Sequence, residues 1–336
     1  MSRTQLAAIF AASALAYLLS LNVYAKDAIL CVPPPMPDNS GDVDALIMCI
    51  NKANALGGGT IELSGLTYTL PSATFGLFTA DGLNGLPDIT SNITLKNGVI
   101  TKDPSLEFRH LHISPPGSLS LKKITLENGN ISGLGGGAIF VAAGAILGTV
   151  EYSSFINNMA VFTSAVVIPP GGGAIRVDGE FYLIKHSIFS SNQAFVSTGS
   201  GFIAGGAILL TRVGPANGGM IIDSIFVANA ANGLSFDDAN GGAIYLDNST
   251  SLDSIIRSSF LGNSANHGGG AISVVSANLS TVDSSTFSFN TSQTTGAIDA
   301  GGSIGTISNS TFDHNLVAST FTVPIGGAII IEDGAS

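Results

Sequence analysis

Two adjacent carboxylates, Asp237 and Asp238, are the side chains whose type and spacing come closest to a catalytic pair. Glycosidases place two carboxylates around the bond that they cleave, one as acid and one as base or nucleophile. Consecutive residues of an extended segment point in opposite directions, so adjacency alone does not aim both carboxylates at one substrate. No Arg, Lys or His lies within several residues of the pair. We therefore predict a solvated loop pair and no catalytic residue.

The five histidines are scattered along the chain, but His110 and His112 have the i, i+2 spacing that shares one strand face. Two imidazoles could contribute to a metal site, yet zinc sites have three or four protein ligands and no third is evident. The Gly- and Asp-rich repeat that folds on Ca²⁺ is absent, as are a phosphate-binding loop and a serine nucleophile elbow. The sequence thus predicts neither a metal site nor a cofactor.

Residues 1–25 have the form of a secretory signal peptide. Arg3 precedes the apolar stretch 6–21, and Ala25 ends a small-residue cleavage site. The stretch is shorter than the roughly 20 residues that span a bilayer, so we favour export over a membrane anchor. No later segment is long and apolar enough to cross a membrane. We expect a secreted or surface-exposed protein without a transmembrane segment after signal removal.

The two cysteines, Cys31 and Cys49, both follow the proposed cleavage site. In an oxidising compartment they could form a disulfide that joins the N-terminal segment to the first helix. Two unpaired thiols are the alternative that the sequence leaves open.

The net charge of −11 argues against two classes of partner. Binding to nucleic acid or to an anionic lipid surface depends on clusters of Lys and Arg. After Ile131 the chain has only four basic side chains, and they are widely spaced. We expect neither nucleic acid nor a membrane surface as a partner.

An internal repeat dominates the second half of the chain. A Gly-Ala-Ile element recurs in seven regularly spaced copies, and a Phe-x-x-Asn element lies between each consecutive pair of these copies. The alanines, 26 to 36 residues apart, are Ala138, Ala174, Ala207, Ala243, Ala271, Ala297 and Ala328. The Phe/Asn pairs are Phe155/Asn158, Phe189/Asn192, Phe226/Asn229, Phe260/Asn263, Phe287/Asn290 and Phe312/Asn315. Two interleaved elements of this kind indicate a repeat architecture.

We predict an all-β fold in which each repeat forms one three-strand coil of a right-handed parallel β-helix. Two coils per repeat would leave about 13 residues per coil in the shortest case, too few for three strands and their corners. Glycines supply a corner with positive φ, Ala-Ile opens the first strand, and the third strand carries the Phe. The asparagine follows in a turn, where it can tolerate the left-handed region. Stacking at about 4.8 Å then puts Phe on Phe and Asn on Asn.

A short helix is predicted before the coils, because apolar residues recur at helical spacing between Val43 and Ala53 and Asp42 can cap the first turn. The predicted organisation is a signal peptide (1–25), an N-terminal segment with a capping helix (26–56) and a parallel β-helix (57–336). The last repeat opens a coil that stops at Ser336, and we expect truncation or a missing cap there.

The paired GGAI and FxxN motifs, from Gly135 to about Gly327, resemble the polymorphic outer membrane proteins, a family of bacterial autotransporter passengers. More broadly, they resemble the pectate-lyase-like β-helix superfamily. The resemblance covers more than half of the chain and implies exposure at the cell surface or outer membrane and a role in adhesion. The C-terminal translocator barrel of such proteins is missing from this sequence.

Repeat length varies mainly after the asparagine, which predicts insertions at one corner of successive coils. The first three insertions are apolar and contain Phe162, Phe202 and Phe236. They could form an exposed hydrophobic patch that contacts a partner, or they could fold back as an extra packing layer. We take the three phenylalanines as binding candidates and keep both alternatives.

The expected function is an adhesin- or passenger-like binding role. The partner would be a host or cell-surface macromolecule, a glycan or another copy of the chain. One alternative is a carbohydrate-active enzyme, a polysaccharide lyase or glycoside hydrolase, and another is a structural surface-layer component. An enzyme should bring acidic groups and a basic group together across adjacent coils.

Overall fold

Strands of successive coils pair in parallel and in register, so the chain winds into a β-helix. The structure is a computed structural model that describes residues 29–72, 81–162, 170–197, 202–211, 218–233, 239–247, 250–318 and 326–331. Three long sheets and one two-stranded sheet account for its strands. The predicted all-β parallel solenoid is confirmed. The predicted signal peptide lies outside the described residues.

The strands divide into four sheets. The first, which we call the Ala-Ile sheet, contains Leu111–Ile113, Ile139–Val141, Ile175–Val177, Ile208–Leu210, Ile244–Asp247, Ile272–Val275, Ile298–Ala300 and Ile329–Ile331. The second, the Phe sheet, contains Ile29–Cys31, Gly58–Glu62, Thr67–Leu70, Asn92–Lys102, Ser118–Glu127, Ile146–Glu151, Ser154–Ile156, Glu180–Lys185, Ile188–Ser190, Gly219–Ile222, Ile225–Val227, Ser251–Ile256, Ser259–Leu261, Asn278–Asp283, Thr286–Ser288, Ser303–Ser308 and Thr311–Asp313. The third sheet contains Asn130–Ser132, Met159–Phe162, Gln193–Val196, Ala230–Asn232, Ser264–Ala265, Thr291–Ser292 and Leu316–Val317. Ile203–Ala204 and Ala239–Asn240 form the two-stranded sheet.

Each repeat is one coil, but its strands are arranged differently from the prediction. The Phe strand Ser154–Ile156 continues the sheet of the strand before it, and a further strand follows the asparagine to start the third sheet. The chain turns at residues in the left-handed region, Tyr152 (φ 50°) and Asn157 (φ 53°), and at the equivalent positions of later coils. The left-handed residue therefore precedes the asparagine, and our assignment of that conformation to the asparagine itself is wrong.

Two columns of identical side chains run through the rod. The ladder phenylalanines from Phe155 to Phe312 stack nearly parallel, with ring centroids 4.6 to 4.8 Å apart. Each ladder asparagine from Asn158 to Asn290 donates from Nδ2 to the Oδ1 of the next, as Asn192 does to Asn229 at 2.9 Å. The predicted register of Phe on Phe and Asn on Asn is thus confirmed.

A third column, of serines, was not predicted. The Ser153 N–H donates to the Oγ of Ser187 at 3.2 Å, and the Ser187 N–H donates to the Oγ of Ser224 at the same distance. The contact continues through Ser258, Ser285 and Ser310. These hydroxyls satisfy N–H groups that the bend removes from regular strand pairing.

Glycine is required where the chain enters the Ala-Ile sheet. Gly172 has φ +65°, and a Cβ there would collide with the carbonyl of Ile175. At Gly206, a Cβ would collide with the carbonyl of Gly242 in the next coil. The predicted glycine corner is confirmed, because left-handed backbone and close coil contact both exclude a side chain.

The predicted capping helix is present as Val43–Ala55. Asp42 caps it by accepting the N–H of Ala45 at 3.0 Å. Its buried face, which includes Leu46 and Ile50, packs on the first coil. Cys31 and Cys49 form a disulfide between the first strand and this helix, with their Cα atoms 5.7 Å apart.

Candidate functional site

The apolar residues predicted as a partner surface have different environments. Phe162 is only 2% exposed and packs with Val196 and Ile203, so it cannot contact a partner. It ends a strand whose alternation points it inward. Phe202 is half-buried, with its ring centroid 5.5 Å from that of Tyr245. Of the two alternatives for these insertions, an exposed patch or an extra packing layer, Phe162 and Phe202 therefore fit the packing layer.

The remaining candidate residues, Phe236, Asp237 and Asp238, lie outside the described residues. Other aspartates of the rod have local partners. Asp223 is paired with Arg257, and Asp283 accepts from Ser308 and Asn309.

The outer face of the Ala-Ile sheet is covered. The central residues of successive strands, Phe140, Arg176, Leu209 and Tyr245, all point away from the rod interior and are nevertheless buried. Parallel sheets commonly have both faces covered in this way. Polar groups on this face therefore lie in a low-dielectric environment, where charge interactions are strong.

At the N-terminal end of this covered face, His112 lies between two aspartates. Its Nε2 is 3.4 Å from an Asp81 carboxylate oxygen, and its Nδ1 is 3.3 Å from one of Asp88. Ser114 donates to Asp88 at 2.8 Å, and its Oγ is also 3.1 Å from Nδ1 of His112. The Asn84 amide donates to the other Asp88 oxygen at 3.1 Å. We call Asp81, Asp88, His112 and Ser114 the acid–base cluster.

Within the acid–base cluster, hydrogen bonds stabilise the ionised form of Asp88. Burial raises the pKa of Asp88, but hydrogen bonds from His112, Ser114 and Asn84 outweigh burial and leave that pKa lowered. Asp88 is therefore ionised at neutral pH. The side chains of Asp81 and Asp88 are about one-third exposed and can reach solvent.

A buried arginine lies beside the acid–base cluster. Arg109 donates from Nη2 to the carbonyls of Asp81 and Gly135, and its guanidinium lies 4.9 Å from the centre of the Phe140 ring. Its Nε and Nη1 have no hydrogen-bond acceptor within the described part of the chain. Burial lowers the pKa of Arg109 to about 9, so the side chain stays charged at neutral pH.

The two histidines singled out by sequence have different partners. His110 is fully buried, with Nε2 3.0 Å from the carbonyl of Glu127. Only His112 belongs to the acid–base cluster. No group of three or more His, Cys, Asp or Glu side chains suited to a metal ion occurs within the described ranges. Sequence reasoning missed Asp81 and Asp88, which lie 31 and 24 residues before His112 and share no motif with it.

The outer face of the Phe strands is open and carries apolar side chains. Ile188, Ile225 and Leu261 are 40%, 43% and 42% exposed, and Ile156 and Val227 are partly exposed beside them. Their strands are paired neighbours in four consecutive coils. We call these five residues the apolar strip. Contiguous exposed apolar residues of this kind mark interaction sites.

A polar ridge borders the apolar strip, formed by the left-handed residue of each of the same four coils. The rings of Tyr152 and His186 stack with centroids 4.7 Å apart, and Nδ1 of His186 is 3.9 Å from Asp223. Arg257 donates to both oxygens of Asp223, at 2.7 and 2.8 Å. This pairing lowers the pKa of Asp223. We call Tyr152, His186, Asp223 and Arg257 the ridge.

No protein family, curated protein or solved structure matches this chain. Among the described residues, no helix has the length and apolarity needed to cross a membrane. The function is therefore inferred from the β-helix fold, the acid–base cluster and the apolar strip with its ridge.

Proposed function

We propose that this protein is exported and displayed outside the cell, where it has an adhesin-like binding role with the apolar strip as its contact surface. The apolar strip is the observation that carries the proposal. The signal-like N-terminus and the resemblance to autotransporter passengers support export. The partner is a cell-surface macromolecule, either a glycan or a protein.

A β-helix is suited to this role for a physical reason. Ile188 and Ile225 sit on strands whose inward side chains, Phe189 and Phe226, are stacked and fully buried. The strip is consequently held by rigid strands, and little conformational entropy is lost when a partner binds. Desolvation of the exposed isoleucines then favours binding.

Binding measurements on strip variants test the proposal. Ile188→Asp combined with Ile225→Asp is expected to lower binding to cells and to a glycan array by about tenfold or more, because charges would enter a desolvated contact. The matched control is Thr286→Asp with Thr311→Asp, at the equivalent exposed positions of later coils. Unchanged binding by the isoleucine variant, or an equal loss in the threonine control, would contradict the proposal.

A carbohydrate-active enzyme is the second candidate function, because the acid–base cluster combines two carboxylates and an imidazole, and the buried Arg109 lies beside it. In such an enzyme Asp81 and Asp88 would serve as acid and base, and Arg109 would stabilise negative charge that develops in the transition state. Both aspartates are reachable from solvent.

Assays on polyuronates and neutral polysaccharides test this second candidate. Unsaturated uronate products would indicate a lyase, and new reducing ends alone would indicate a hydrolase. Asp88→Asn is expected to lower the rate about 100-fold, whereas Asp313→Asn on the exposed end of the Phe sheet should leave it unchanged. Absence of product from every polysaccharide would remove the enzyme from consideration.

A further inference from the structure

An open groove crosses three consecutive coils at the corner where the Ala-Ile sheet passes into the Phe sheet. It is lined by residues 250–251, 276–278 and 301–303, and its volume is about 480 Å³. Small-molecule sites in proteins have volumes of this order. The groove shares no residue with the acid–base cluster or with the apolar strip. The ligand that it fits is therefore determined by its own lining.

The groove arises because the corner becomes shorter from coil to coil. Two sets of paired positions bound the corner, Leu246, Val274 and Ala300 before it and Ser251, Asn278 and Ser303 after it. Four residues (247–250) separate these positions in the first coil, three (275–277) in the second and two (301–302) in the third. The two residues of the third corner are glycines. That coil consequently has no corner side chain with which to fill the groove.

Polar groups of the groove lack partners in the protein. Thr250 is only 5% exposed, and its buried Oγ1 has no hydrogen bond within the described part of the chain. Asn278 donates from Nδ2 to Oγ of Ser280 at 2.9 Å, and no described residue donates to its Oδ1. A buried hydroxyl without a partner is unfavourable, and native proteins rarely leave one. A ligand that supplied the missing partners would therefore gain affinity.

The lining favours a neutral ligand that is rich in hydroxyl groups. It offers serine and threonine hydroxyls, the Asn278 amide and main-chain groups, and none of the described residues that line it is charged. An ionic ligand would find no counter-charge, and a lipid would find little apolar surface beyond Ala277. Sugar hydroxyls donate and accept hydrogen bonds as serine hydroxyls do. We propose that this groove binds a neutral saccharide, at a site separate from the apolar strip.

The groove has the repeat of the rod. Ser251 pairs with Asn278 and Asn278 with Ser303, so one polar position recurs about every 4.8 Å. A saccharide chain that lies along the rod can thus meet equivalent polar groups in successive coils. Because the groove is open and its contacts are few, we expect a dissociation constant of about 1 mM. Binding this weak is lost when an array is washed, so it does not enter the glycan-array comparison of the strip variants.

Saturation-transfer NMR titrations of the full chain test the site. The neutral probes are maltohexaose, cellohexaose and xylohexaose, and hexagalacturonate is the charged counterpart. At least one neutral probe is expected to bind, and hexagalacturonate should bind more weakly. Ser251→Trp, on the outer face of its strand, should weaken neutral binding at least tenfold by filling the groove. Asn278→Ala should weaken it about fivefold by removing the amide.

The matched control is Ser118→Trp, because Ser118 opens the corresponding strand of an earlier coil and does not line the groove. It should leave saccharide binding unchanged. Circular dichroism establishes that each variant is folded, and Asn278→Ala decides the matter if Ser251→Trp does not fold. The inference is overturned if no neutral probe binds, if hexagalacturonate binds more tightly, or if neither groove variant weakens binding.

The apolar-strip variant, Ile188→Asp with Ile225→Asp, separates this inference from the proposed function. It should leave saccharide binding in the groove unchanged. If it abolishes saccharide binding while Ser251→Trp does not, the saccharide lies on the apolar strip, so the groove inference fails and the proposed function stands. If cell binding survives the strip variant while the groove variants lose the saccharide, the groove inference stands and the adhesin-like role of the strip fails.

Discussion

Asn229→Ala is expected to lower the free energy of unfolding by about 3 to 6 kcal/mol. The Asn229 Oδ1 accepts from the main-chain N–H of Asn192 at 3.0 Å and from its side-chain amide at 2.9 Å. Its Nδ2 donates to the carbonyl of Phe189 at 2.9 Å and to Oδ1 of Asn263 at 2.9 Å. Removal of the amide deprives the main-chain N–H of Asn192 and the Phe189 carbonyl of these partners, and it leaves the Asn192 side-chain amide with only its bond to the Phe155 carbonyl. Each group that is left unsatisfied costs about 1 to 3 kcal/mol, and the lower part of the summed range applies if water enters the site.

Chemical denaturation followed by circular dichroism measures this loss. Asn232→Ala is the matched control, since Asn232 lies on the next strand of the same coil and is only half-buried. It should change the unfolding free energy by less than about 0.5 kcal/mol, as is usual at partly exposed sites. Equal effects of the two substitutions would show that the buried ladder does not contribute specifically to stability.

A pH dependence centred on His110 is the second large expected effect. Burial, together with the nearby positive charge of Lys102, lowers the pKa of His110 to about 3, against about 6.5 in an unfolded chain. The neutral ring is therefore compatible with the folded state at all pH values above about 3. As pH falls below 6.5, the unfolded state takes up a proton that the folded state does not, so stability decreases. Between pH 7 and pH 5 this difference amounts to about 2 kcal/mol.

Denaturation at pH 7 and pH 5 with His110→Gln measures the contribution. Glutamine retains a donor for the Glu127 carbonyl and does not titrate, so the variant should lose about 2 kcal/mol less between the two pH values than the original chain. If the His110→Gln variant lost as much stability between pH 7 and pH 5 as the original chain, another group would control the acid sensitivity.

Several features of the fold could be predicted because the same residue returns in every coil. The Phe and Asn ladders need identical side chains at each level, since stacking at about 4.8 Å brings equivalent positions into contact. Ser153 and its equivalents recur two residues before each Phe, so the serine ladder was also open to prediction. The apolar strip was accessible by the same reasoning, because residues on either side of an inward Phe must point outward.

The bend between the two strands of the Phe sheet left no such signal. The left-handed position holds Tyr152, His186, Asp223, Arg257, Ser284 and Asn309 in turn, and none of these is glycine. A left-handed residue costs roughly 1–2 kcal/mol. That cost is tolerated here because the serine ladder and the stacked coils satisfy the backbone on both sides, which is a property of neighbouring coils and not of the local segment.

The sequence by itself determined the coil, its register and the residues that form its ladders, because those depend on a pattern that repeats along the chain. Only the tertiary structure decided that Phe162 is a packing residue, and that Asp81 and Asp88 meet His112. Those contacts join segments that share no periodicity, so their geometry depends on how one loop crosses the covered face of the Ala-Ile sheet. Burial and proximity of that kind arise only once the coils are stacked.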